Sequence, residues 1–175
     1  MRPVRYNVAA SLDGFIARAD HSYDWIPDDA AVDFAGLFAR VDTVLVGRKT
    51  WEAVEPTGLR PWPAGSRVFV FSATLATAPA GTTLVATDPV PLVRALRAQP
   101  GTGEIWLFGG SALFRSLLAA GLVDRVEVTV VPVLLGAGIP LAGAGAPESR
   151  LVLRDLVRYP SGMVGLTYDV TGTAA

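Results

Sequence analysis

Apolar residues change their spacing along this chain in a way that separates strands from helices. Val4 to Ala10 alternates loosely and is rich in strand formers, which predicts a first strand. Ser11-Leu12-Asp13-Gly14 turns it, and Phe15-Ile16-Ala17 is apolar again. From Ala31 to Arg40 apolar residues fall at Val32, Ala35, Phe38 and Ala39, with Phe34 and Leu37 widening the face. That spacing predicts an amphipathic helix. Strands are expected at Thr43 to Val46, Arg67 to Phe71 and Thr83 to Ala86, and a short helix at Pro91 to Arg97. The run Glu104-Ile105-Trp106-Leu107-Phe108 then meets Gly109-Gly110, and helical spacing follows from Ser111 as far as Gly121. Val126 to Val131 is a β-branched strand, and Leu151 to Leu156 and Met163 to Thr171 close the chain as two more. Between these, Arg18 to Asp29 is a polar, aromatic loop whose Tyr23 and Trp25 predict that it folds over something. Pro56 to Ser66 is a second loop. Strands alternate with helices over two thirds of the chain and then dominate. The expected fold is α/β, with a mainly parallel central sheet and antiparallel C-terminal strands. With no repeat and no low-complexity linker, residues 1–175 are expected to form one domain.

Composition narrows the chemistry. Hydrophobic residues make up 51% of the chain and charged residues 18%, which favours a packed core over disorder. The net charge is −1 and no basic run occurs, so neither nucleic acid nor an anionic membrane is an expected partner. Cysteine is absent and His21 is the only histidine, which removes thiol catalysis and leaves no basis for a metal site. The N-terminus lacks the apolar core of a signal peptide. The apolar region 126–146 is broken by Glu127, two prolines and several glycines, so it reads as strand and loop. A soluble cytoplasmic protein is expected.

Three strand ends carry polar or glycine-rich turns: Gly47-Arg48-Lys49-Thr50, Ser72-Ala73-Thr74 and Gly109-Gly110-Ser111. In an open α/β sheet, ligands bind at the carboxyl ends of strands, so three such ends imply one site. Adjacent glycines let the main chain approach a ligand closely, and Ser111 is placed to cap the following helix. Helix N-termini bind phosphates, and arginine with lysine at a neighbouring turn suits one too. The dinucleotide fingerprint G-x-G-x-x-G and the P-loop motif are both missing.

From Tyr6 to Asp169 the chain resembles the dihydrofolate reductase-like superfamily, and more closely its branch containing the reductase domain of riboflavin biosynthesis. Four segments carry the likeness, in the family's order: Ala9 to Ala17 with its Ser11-Leu12-Asp13-Gly14 turn, Val46 to Trp51, Trp106 to Ser111, and Leu122 to Gly138. The resemblance implies a three-layer α/β/α arrangement, NADPH as cofactor, a small-molecule substrate and a homodimer. It implies cofactor contacts at Ala9, Ala10 and Ile16 beside the nicotinamide and at Gly109, Gly110, Ser111, Ala112 and Leu113 around the diphosphate. Gly47, Arg48, Lys49 and Thr50, with Ser72, Ala73 and Thr74, complete that set, Arg48 being placed for the 2′-phosphate. Asp13, Phe34, Phe108 and Thr129 are the implied substrate contacts, and the Gly109–Gly110 peptide is expected to be cis. The proton donor is unassigned, with Asp13 and Asp33 as candidates. Phe108 stands where the riboflavin branch commonly has glutamate. Three readings stay open: a reductase of another C=N or C=O heterocycle, a dihydrofolate or 5-amino-6-(5-phosphoribosylamino)uracil reductase, and a non-catalytic binder.

Overall fold

A computed structural model describes residues 1–58 and 60–173. The first strands are β1 (Val4–Ser11), β2 (Phe15–Ala17), β3 (Val41–Gly47), β4 (Arg67–Phe71) and β5 (Thr83–Val85). They are followed by β6 (Glu104–Gly109), β7 (Arg125–Val131), β8 (Ile139–Pro140), β9 (Ser149–Arg158) and β10 (Val164–Thr173). Among the described residues, eight strands form one sheet in the order β5-β4-β3-β6-β1-β7-β10-β9, and β2 pairs with β8 in a small second sheet. Every pairing from β5 to β7 is parallel, and β10 is antiparallel to both β7 and β9. The expected mainly parallel sheet with antiparallel C-terminal strands is therefore present.

Alternation along the central strands divides the core in two. Val4, Tyr6, Leu45, Ile105 and Leu107 face helices α3 (Pro89–Ala98) and α4 (Ser111–Ala119), which bury Val93, Leu96, Phe114 and Leu117 against them. Val44, Val46, Val68, Val70 and Trp106 face the other way, toward α1 (Phe34–Arg40) and α2 (Arg48–Val54). Strands buried on both sides need continuous apolar sequence, which is why β3, β4 and β6 read so clearly. On the α3/α4 side, Tyr6 stacks on Phe114 with centroids 4.0 Å apart.

Several boundaries differ from expectation. Helix α1 begins at Phe34 rather than Ala31, because the Asp33 carboxylate accepts from the Gly36 amide at 2.7 Å and caps the helix there. Its expected face is also narrower: Leu37 is buried and Phe38 half-buried, while Phe34, Ala35 and Ala39 are exposed. Helix α3 is longer at both ends than Pro91 to Arg97, with Asp88 capping it through the Val90 amide. Within the second loop, Glu55–Thr57 forms a 3-10 turn. Strand β8 is two residues long, too short for any alternation to announce it.

Candidate functional site

The three polar strand ends meet. Between β1 and β3 the chain skips one position in the sheet, and β6 later fills it. That insertion sets the Gly109-Gly110 turn directly beside Gly47. A Cβ at Gly47 would lie 3.3 Å from the Gly110 amide nitrogen, a tight contact that a side chain could make only if the facing turn gave way by a few tenths of an ångström. Gly109 has φ of +143°, a conformation side chains rarely adopt, and its peptide to Gly110 is cis, as the resemblance implied.

Here the expectation for Ser111 needs correction. Gly110 occupies the N-cap position of α4, Ser111 is its first residue, and no side chain caps it. Helix α2 likewise starts behind Gly47 with no side-chain cap. Both helices therefore leave first-turn N–H groups for an external acceptor, which strengthens the case for an anion at these turns. At Gly110 a Cβ would meet Thr50 Oγ1 at 2.8 Å, so the position is closed to a side chain by Thr50.

These turns open on a cleft of about 1980 Å³ that runs across the carboxyl ends of the strands. Drug-sized ligands fill roughly 300–1,000 Å³, so this one has room for a dinucleotide and a second small molecule. At one end it is lined by Gly47, Arg48, Lys49, Thr50, Ser72, Ala73 and the turn from Gly109 to Leu113. At the other it is lined by Ala9, Ile16, Asp33, Phe34, Phe108 and Thr129. The Arg18 to Asp29 loop does fold over something: Ala19, His21, Tyr23 and Ile26 to Asp29 form part of this wall. Asp29 holds it there, its carboxylate accepting from the Ser161 amide at 3.0 Å and the Ala31 amide at 2.9 Å.

Three expected site residues are not in the lining. Ala10 is buried, and the Thr74 amide hydrogen-bonds back to the Ser72 hydroxyl. Asp13 is a clamp: its oxygens accept from the Ser11 hydroxyl at 2.6 Å, the Leu135 amide at 3.1 Å and the Gly136 amide at 2.7 Å. The Ser11 hydrogen bond, followed by those two amides, holds this carboxyl below the usual aspartate range. Arg48 is in the lining but already engaged, its guanidinium donating to both Glu52 oxygens at 2.8 and 2.9 Å.

Sequence reasoning missed a charged network on the cleft side of the sheet. Buried Arg5 donates to Glu104 at 2.6 and 2.9 Å and also pairs with Glu127, whose other oxygen accepts from Asn7 at 2.8 Å. Burial raises the Glu104 pKa, but the hydrogen bond and charge of Arg5 outweigh it and hold the group below the ordinary carboxylate range. Asn7, Glu127 and, beyond them, Thr167 and Asp155 line the same end of the cleft as Thr129. The available signal was a glutamate standing inside the otherwise β-branched strand β7. Also unforeseen is a line of rings beneath this end. Phe34–Phe38, Phe38–Trp106, Trp106–Phe108 and Phe108–Trp62 lie at centroid separations of 6.1, 6.1, 5.0 and 5.6 Å. Phe108 is a member of that line, so its aromatic character is a packing requirement here.

Among the described residues no group of acidic, histidine or cysteine side chains could hold a metal ion, and no helix is long and apolar enough to cross a membrane. The model of the RibD C-terminal domain family matches residues 2–164. An uncharacterized Bacillus subtilis protein, YyaP, is 29% identical over 98% of this chain and 96% of its own length. A crystal structure from Shewanella sp. PV-4, assigned provisionally to riboflavin biosynthesis, is 29% identical, with a TM-score of 0.83 over 98% of this chain and all of its own. Two further structures are 18% identical and show the fold alone. One is a Thermotoga maritima deaminase/5-amino-6-(5-phosphoribosylamino)uracil reductase, with a TM-score of 0.73 over 97% of this chain and 57% of its own. The other is an Enterococcus faecalis dihydrofolate reductase complexed with NADP(H), with a TM-score of 0.66 over 97% of both chains.

The Arg5 network yields a pH prediction. Arg5→Met should cost about 3–5 kcal/mol at neutral pH, because two partly buried carboxylates lose their shared cation. In the parent, Glu104 is held low, so its contribution is present above about pH 4 and lost as pH falls through its folded value. In the variant burial is opposed only by the weaker charges of Arg40 and Arg125, so the carboxyl is no longer held so far down, and the penalty is present above about pH 4 and fades on protonation. Urea titrations should show the gap between the two proteins closing toward pH 3. A gap that stays constant or widens in acid would contradict this account.

Proposed function

We propose a function from one premise: the chain belongs to the RibD C-terminal domain family. It is an NADPH-dependent reductase that transfers a hydride to a C=N or C=O bond of a small, heterocyclic substrate. The observation that carries this reading is the meeting of two uncapped helix starts with Arg48, Lys49 and Ser72 at one end of a dinucleotide-sized cleft. In this reading the diphosphate lies at Gly110 to Leu113, and the 2′-phosphate is taken by Arg48 with Lys49 and Ser72. The nicotinamide faces Ala9 and Ile16. When bound, the cofactor supplies the hydride, and the substrate carbon accepts it while the adjoining nitrogen or oxygen takes a proton. Ala9, Ile16 and the aromatic line keep water from that step. The Enterococcus structure, complexed with NADP(H) on the same fold, supports the choice of cofactor.

Of the two candidate acids, Asp33 is the one that lines the cleft, exposed at the start of α1 with one oxygen on Gly36. It supplies the proton directly or through a water. Asp33→Asn keeps the cap, since asparagine caps as well as aspartate, and removes only the acid. The variant should lose about 10²–10⁴-fold in kcat with NADPH affinity unchanged. An unchanged kcat would clear Asp33 of this role.

For the cofactor, Arg48→Ala should lower NADPH affinity by about 1.5–3 kcal/mol and leave NADH nearly untouched. Titrating both cofactors checks this, and equal losses would mean that Arg48 serves something other than the 2′-phosphate. Steady-state NADPH oxidation with dihydrofolate and with the ribosylaminopyrimidine then separates a known pathway substrate from a new one.

A homodimer completes the reading. In the apolar segment Val126 to Leu141, Val126 and Val131 are buried within the subunit while Leu134 is exposed. Among the described residues, a run of exposed apolar side chains lies on β9, the sheet's last strand, where Leu151, Val152, Leu153, Leu156 and Val157 are 41–49% exposed. A bare apolar edge of ten residues invites pairing, and a second copy offers the same edge. Sedimentation should give twice the 18.4 kDa chain mass, and Leu153→Arg should return it to one. A wild-type monomer at micromolar concentration would remove the claim.

A further inference from the structure

The substrate end of the cleft has a charge pattern of its own, and naming it the substrate end rests on the reductase reading. Asp29 of the covering loop, Asp33 at the start of α1, Glu127 of β7 and Asp155 of β9 come from four separate parts of the chain and line the same end. Tyr159 lies among them, and its hydroxyl pKa is raised by burial and then by these same four charges, Glu127 first. Against them stand Arg5 and Arg40. Arg5 is buried between Glu104 and Glu127, and Arg40 approaches Glu104 at 3.9 Å, so two cations are matched by two glutamates. Asp29, Asp33 and Asp155 remain, with no ion-pair partner among the described residues. Arg48 and Lys49 are at the other end, beside the helix starts.

The wall here is aromatic as well as acidic. Phe34 is 52% exposed toward solvent, and Phe38, Trp106 and Phe108 continue its line of rings. Trp106 lines the cleft while only 3% exposed, and its buried indole N–H has no hydrogen-bond partner among the described residues. Flat ring surfaces suit a planar ligand, and carboxylates suit amino groups or a protonated ring nitrogen. A phosphate dianion would face three uncompensated carboxylates in a partly enclosed site, where like charges repel more strongly than in bulk water.

We propose that the substrate end takes a planar nitrogen heterocycle bearing amino donors or a positive charge and no phosphate, and that Asp155 is a residue that enforces the exclusion. This separates the chain from the Thermotoga neighbour, whose named substrate carries a phosphoribosyl group. Asp155 suits the role because it lines the cleft from an edge strand, with one oxygen on the adjacent Leu156 amide.

The test uses the full chain, with and without NADPH, titrated with 5-amino-6-(ribosylamino)uracil and with its 5′-phosphate. The unphosphorylated compound should bind at least about tenfold more tightly, a gap of about 1.4 kcal/mol. Asp155→Asn should bring the two affinities closer, and added salt should do the same in the wild type. Equal or tighter binding of the phosphate, a preference unmoved by Asp155→Asn, or binding of neither compound would each overturn the proposal. NADPH titrated alone reports on the cofactor end, so failure there counts against the reductase reading and leaves the preference between the two compounds still readable.

Discussion

The insertion of β6 between β3 and β1 is the constraint on which the rest of the structure depends. Its Ile105 and Leu107 are buried on one face and Trp106 on the other, so the strand ties the two halves of the core together. Because it is parallel to both neighbours, its carboxyl end must emerge beside theirs. Gly47 and Gly109-Gly110 are the local solution to that crowding, since any side chain at Gly47 would press on the facing backbone. Two helices then start from adjacent strand ends without side-chain caps, and their free N–H groups open on one space. The convergence of these two helix starts is a consequence of packing order in the sheet.

Polarity along the cleft follows from what covers each part of the sheet. Over β3, β4 and β6 the helices α1 and α2 and the rings of Trp51, Trp62 and Trp106 pack against the face. Past β1, no helix among the described residues covers that face, and Asn7, Glu127, Thr129, Thr167 and Asp155 stand on it instead, beneath a loop pinned by Asp29. A charged group at such a depth persists only with a partner. Arg5 meets this need for Glu104 and Glu127 together, at the cost of making the whole network sensitive to its loss. One end of the cleft is thus built from backbone dipoles and cations, the other from carboxylates and rings.

Much of this was legible in the sequence, and the divide is physical. Buried parallel strands must be apolar on both faces, so β3, β4 and β6 and the sheet class could be read directly. The three glycine or serine turns at their ends pointed to one site because parallel strands force their ends together. What could not be read depends on contacts between distant segments. Asp13 sits in a family-like turn, yet only the folded loop at Leu135 and Gly136 reveals it as a clamp outside the cleft. Ser111 had the right identity for a cap, but the turn geometry gave that place to Gly110. The acidic end needed Asp29, Asp33, Glu127 and Asp155 to be brought together across more than a hundred residues of chain. The three aspartates look like ordinary surface charges when read alone, and only Glu127, inside an apolar strand, stands out.

The central claim is that the uncapped starts of α2 and α4 jointly hold the diphosphate end of NADPH. Amide hydrogen exchange on the wild-type chain, with and without NADPH, tests it most directly. The account predicts slowed exchange concentrated at residues 47–50 and 110–113 when cofactor is added, while the amides of β9 stay unchanged. Protection that misses both turns, or no protection at saturating NADPH, would contradict it.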